Sequence, residues 1–125
     1  MDLSSIKPRE TAPVEIMHPG TGENLGLRFE IRSRYDDAVK KKAASVQLRA
    51  SKMTPAQRLA AQETWAREIL AAAVVSWEFY DGLTFNQESE PECNEANVVQ
   101  LFKEYPYVFE QLDTQFGDVS GFFTK

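Results

Sequence analysis

The sequence holds little of what enzymes and metal sites are made from. Cys93 is its one cysteine and His18 its one histidine, so no spaced metal-ligand set can be built and no internal disulfide can close. An unpaired thiol is read most economically as belonging to a reducing compartment, with an intermolecular bridge as the other reading. A Cys–His nucleophile pair would need His18, in a Pro- and Gly-containing loop, to meet Cys93, in an acidic loop that raises a thiol pKa, and it is not expected. No apolar run reaches the roughly 20 residues of a membrane helix. The opening "MDLSSIKPRE" lacks the basic-then-apolar order of a signal peptide. "PGTGENLG" has glycines but no phosphate-loop lysine and opens no helix, and Glu88, Glu90, Glu92 and Glu95 lack the glycine-centred spacing of a calcium loop. The expectation is a soluble, cytoplasmic, non-enzymatic protein with no metal or other cofactor and no membrane partner.

What is present suits one compact domain. The chain has 125 residues, 42% hydrophobic and 26% charged, enough for a core without staples. Residues 1–12 lack periodicity and read as a flexible arm, residues 13–120 as one α+β domain, and residues 121–125 as a tail. In "PVEIM", Val14 and Ile16 point one way and Glu15 and Met17 the other. In "LGLRFEIR", Leu25, Leu27, Phe29 and Ile31 alternate with Gly26, Arg28, Glu30 and Arg32. With "HPGTGEN" between them, the two runs predict an N-terminal β-hairpin packed on a mainly helical remainder of about four helices.

Asp36 or Asp37 can cap a helix in which Val39, Ala43, Val46, Ala50 and Met53 share a face. In "MTPAQ", Thr54, Pro55 and Gln57 have the order of a capping box with a first-turn proline. The helix that starts there is predicted to run through Tyr80 to a left-handed exit at Gly82. Leu70, Val74 and Trp77 would line one row, and "AAAVVSW" would be the central core helix. Asn94 can cap a third helix bearing Val98, Leu101, Phe102 and Tyr105. Pro106 breaks or kinks it, and Phe109, Leu112 and Phe116 continue the pattern to Gly117. Phe79, Tyr80 and Phe85 flank a turn, and Phe122 and Phe123 close the chain. These rings either fold onto the core or are left out for a partner.

Charge is unevenly spread. Residues 28–67 carry ten Lys/Arg against four Asp/Glu, and residues 68–125 carry two against eleven. Such a chain can pair head to tail with copies of itself, or the charges can simply be solvated helix faces. Lys40, Lys41 and Lys42 have no interleaved aromatics, so a solvated flank is favoured over a nucleic-acid site.

The order "PVEIMHPGTGENLGLRFEI", an amphipathic charged helix, "VVSWEFYDGLTF" and "NEANVVQLFKEYPYVFEQL" resembles the tail assembly chaperones of lambda-like long-tailed phages. Pro19, Thr21, Gly22 and Glu23 in the hairpin turn, the segment from Trp77 to Gly82, and the Asn97 helix followed by Tyr105 and Pro106 carry the resemblance, which spans about residues 13–116. It implies a siphophage or prophage protein of the host bacterial cytoplasm that binds the tape measure protein, keeps it soluble, promotes tail tube assembly and is absent from the mature virion. It also implies contact with the tail tube protein, in some members through a longer frameshifted product. On this reading Tyr80, Phe85, Phe122 and Phe123 contribute to client binding, and Lys40, Lys41, Lys42 and Arg49 to self-association as a homo-oligomer. The alternatives are a small nucleic-acid-binding regulator using residues 28–67, and a structural tail connector.

Overall fold

A computed structural model describes residues 2, 3, 6, 10–118 and 122. Strands β1 (Thr11–Met17) and β2 (Asn24–Arg32) form the expected antiparallel hairpin, with Val14 opposite Phe29 and Ile16 opposite Leu27. Alternation decides which side is buried: Val14, Ile16, Leu27, Phe29 and Ile31 all lie in the core. The strand starts at Thr11, and Ala12 is buried, so pairing reaches back into the segment read as an arm. The hairpin turn closes on itself. His18 Nδ1 accepts from the Gly20 and Thr21 amides at 2.9 and 3.1 Å, and the His18 amide donates to the Glu23 carbonyl at 2.7 Å.

Helices α1 (Asp37–Ser51) and α2 (Pro55–Ala73) start where local chemistry directs. The Asp36 carboxylate accepts from the Ala38 amide. Thr54 and Gln57 form the reciprocal capping box ahead of Pro55.

The far end of α2 corrects the sequence reading. The helix stops at Ala73, and Val74–Phe79 forms β3, a third strand pairing antiparallel with β2, so the sheet order is β1-β2-β3. Two valines, a tryptophan and a phenylalanine in six residues favour a strand once the open edge of β2 is beside them. A bulge disguised it. Ile31 pairs with Val74 and Glu30 with Ser76, leaving Val75 as the extra residue. Val74 and Trp77 therefore both face inward at a separation of three, the spacing of a helix face.

Helices α3 (Glu95–Glu104) and α4 (Pro106–Gly117) close the core. Asn94 caps α3 through the Asn97 amide, and Pro106 separates the pair. Phe29 packs against Trp77 and Phe102 at ring separations of 6.1 and 6.3 Å, and Phe102 against Phe109 at 5.6 Å. The indole N–H of Trp77 donates to the Pro91 carbonyl at 2.8 Å, so the ring is buried with its polar atom satisfied.

Side chains occupy backbone groups beside both outer strands. The Gln111 amide of α4 accepts from the Met17 N–H and donates to the Met17 carbonyl, both at 2.7 Å, as a neighbouring strand would. Glu90 accepts from the Phe79 amide at 3.1 Å. These contacts blunt edges that would otherwise invite further strand pairing. Among the described residues no helix is long and apolar enough to cross a membrane.

Candidate partner-binding site

The β2–β3 sheet end and the α3–α4 junction enclose an open apolar groove of about 220 Å³. Leu25 and Leu27 enter it from β2, Phe79 from β3, and Leu83 and Phe85 from the following loop. Its other wall is Leu101, Tyr105, Tyr107 and Val108.

Backbone geometry brings these side chains together. Gly26 is buried at a φ of +95°, and a Cβ there would stand 2.5 Å from the Tyr80 carbonyl oxygen. Only glycine lets β2 approach the chain leaving β3 so closely. The Tyr80 amide then donates to the Gly26 carbonyl at 2.8 Å. Past Tyr80, Asp81 and Gly82 take positive φ and turn the chain, with the Leu83 amide donating to the Tyr80 carbonyl at 3.1 Å. A second reversal at Asn86 and Gln87, also at positive φ, pairs Phe85 with Glu88 through two backbone bonds. The paired turns set Leu83 and Phe85 into the groove. Phe85 is 4% exposed and stacks edge-on to Tyr105, whose own ring leads on to Tyr107.

Beside the groove lies a polar cluster on the outer side of the sheet. The Tyr80 hydroxyl donates to the Glu15 carboxylate, with Asn24 Oδ1 2.7 Å away. That bond holds the Glu15 carboxyl below its usual range, aided by Asn24 and Arg28, and is the main reason the Tyr80 phenol is raised. Arg28 pairs with Glu78 and lies 3.9 Å from Glu15.

The aromatic residues singled out from the sequence divide. Tyr80 is half-buried and held by Glu15. Phe85 and Phe122 are sunk in the core, Phe122 at 1% exposure, so neither presents a free ring to a partner. Phe85 reaches the groove only as part of its floor, and Phe123 lies outside the described residues. Sequence reasoning missed Leu25, Leu83 and Tyr107 as groove residues; the aromatic pair flanking Pro106 was the available signal.

The basic residues divide too. Lys40 and Lys41 are exposed, whereas Lys42 pairs with Glu95 at 2.5 Å and Arg49 with Glu68 at 3.1 Å. With Arg28 and Arg32 also beside carboxylates, four of the ten basic residues of the 28–67 stretch are answered within the fold.

His18 spends its ring on its own exposed turn. Cys93 is half-buried against the core, and burial pushes its thiol up, with the Trp77 amide acting weakly the other way. Such a thiol is a poor nucleophile. Among the described residues no group of three or more His, Cys, Asp or Glu is arranged to hold a metal ion. Compared with known proteins, the chain matches no family model, no curated protein and no solved structure.

Proposed function

We propose that the protein is a phage tail assembly chaperone of the lambda-like siphophage or prophage kind. It binds the tape measure protein in the host bacterial cytoplasm and keeps it soluble until tail tube subunits assemble. The observation that carries this reading is the open groove, walled by leucines and the rings of Phe79, Phe85, Tyr105 and Tyr107. At about 220 Å³ it has room for one or two apolar side chains from a client helix. Tyr105, 39% exposed, is the accessible anchor, with Leu25, Leu83 and Tyr107 around it. Tyr80 contributes from beside the groove, while Phe85 supports it from below. The exposed Lys40 and Lys41 serve self-association, and the tail tube protein is the second partner, reached through a longer product where one is made.

Co-expression with the tape measure protein tests the reading. The wild-type chain is expected to bring the client into the soluble fraction, and Tyr105→Glu to lose most of that effect while keeping its fold by circular dichroism. A client equally insoluble with and without the wild-type chain would refute the chaperone role.

A further inference from the structure

We infer that the groove is also the docking place for a second copy of this chain, which lays the outer face of its α1 across it with Leu48 in the pocket. The inference rests on the reading of the groove as a protein-binding surface, and on no particular client.

The outer face of α1 carries a short stripe that the fold leaves uncovered. Lys41, Ala44, Leu48 and Lys52 follow one another at spacings of three, four and four, so they share one side of the helix and its C-cap. All four are exposed, and Leu48 keeps 62% of its surface open. The inward residues Val39 and Val46 lie on the opposite side. Lys42 and Arg49 are held by Glu95 and Glu68, but among the described residues Lys41 and Lys52 form no ion pair. The stripe is thus one apolar side chain between two free cations, about 10 Å away along the axis on one side and about 6 Å on the other.

The groove offers the complement. Its apolar lining and the accessible ring of Tyr105 suit one leucine. Acids stand beside the lining residues: Glu88 is paired through its backbone with Phe85, the Glu90 carboxylate accepts from the Phe79 amide, Asp81 begins the turn into Leu83, and Glu104 adjoins Tyr105. All four are exposed, and among the described residues none of them forms an ion pair. Residues 80–90 hold three acids and no base. Lys103, the cation nearest in sequence to Tyr105, lines a separate hollow with Phe109 and Glu110. An apolar slot beside unpaired acids favours an apolar side chain flanked by cations.

The fold keeps the stripe away from the groove of its own chain. α1 follows the Arg32 end of β2, whereas the groove uses Leu25 and Leu27 from the other end. The Lys42–Glu95 pair ties α1 to the first turn of α3, whereas the groove takes Leu101 and Tyr105 from its last. The contact is therefore between copies and head to tail, so association either closes a ring or continues past a dimer. A copy docked in this way competes with a client helix and covers the apolar groove until the client displaces it.

Sedimentation of the full chain alone, at concentrations up to about 1 mM, tests the proposal without any client. The wild type is expected to associate reversibly, and at least about tenfold more weakly in about 0.5 M salt than in about 0.05 M, because both sets of charges are exposed. Leu48→Glu and Tyr105→Glu should each be monomeric. Mixed, they should associate again, because one keeps an intact groove and the other an intact α1 stripe. Reversing both Lys41 and Lys52 to Glu should weaken association at least about tenfold. A wild type that stays monomeric, association unchanged in Leu48→Glu, or two folded single variants that stay monomeric when mixed would overturn the proposal. Leu48 is exposed, so its variant decides the matter even if Tyr105→Glu unfolds the chain. A monomeric wild type that still solubilises the client would overturn this inference and leave the chaperone reading standing; an associating chain that leaves the client insoluble would do the reverse.

Discussion

Along β1 and β2, alternate side chains are buried, whereas residues 47–64, the end of α1 and the start of α2, include none that is. The sheet and the last two helices cohere through contacts between residues far apart in sequence, with Phe29, Trp77 and Phe102 meeting from three elements. The tip of the α1–α2 hairpin has no such core. It is held by the Thr54–Gln57 capping box, by Arg58 Nε donating to the Ala50 carbonyl at 2.8 Å, and below it by the Arg49–Glu68 pair. The difference teaches that one region's structure is cooperative and the other's is local, so equal-sized perturbations should have unequal reach.

The largest break is expected in the core. Phe102 is 1% exposed and touches both Phe29 and Phe109, so Phe102→Ala should cost about 3–5 kcal/mol and lower stability throughout the molecule. Urea denaturation followed by tryptophan fluorescence measures it; a loss under 1 kcal/mol, on the order of a surface substitution, would mean the ring is not a core element.

Thr54→Ala tests the other region. Removing the cap should cost about 1 kcal/mol, and hydrogen exchange should quicken in the first turns of α2 while β1, β2 and β3 keep their protection. Equal loss of protection in the sheet would erase the distinction between the regions.

Smallest is the effect at the sheet's outer face. Glu15 is depressed chiefly by the Tyr80 hydroxyl, so its stabilisation is present above the ordinary carboxylate pKa and is lost as pH falls through the depressed one. Tyr80 is raised, so its share is present below the ordinary phenol pKa and is lost as pH rises through the raised one. Both groups are only half-buried, so Tyr80→Phe should cost no more than about 1 kcal/mol at neutral pH. Stability measured from about pH 7 down to about pH 3 should fall less steeply in the variant than in the wild type; parallel curves would detach Tyr80 from Glu15.

Legibility followed the same division as stability. Signals carried by neighbouring residues were readable: the Asp36, Thr54 and Asn94 caps, the alternation of Val14, Ile16, Leu27, Phe29 and Ile31, and the break at Pro106 all stand where the residue chemistry puts them. Signals that depend on a distant partner were not. Val74 and Trp77 read as one helix row because a bulge restores helical spacing within a strand, and only the waiting edge of β2 turns the segment into β3. Phe85 and Phe122 illustrate the same limit, since nothing local tells a buried ring from an offered one. The groove was visible as an excess of aromatics, not as a place, because its walls come from β2, β3, a loop and two helices.

By itself the sequence determined the start of each helix, the inward face of the first two strands, the α+β class and the polarity of charge, since these depend on hydrogen bonds and periodicities spanning a few residues. Tertiary structure alone decided where α2 ends, which aromatic rings are spent on the core, and which basic side chains meet a carboxylate. Each of those outcomes is a competition between distant groups for the same space or the same proton, and it is settled only when the chain has brought them together.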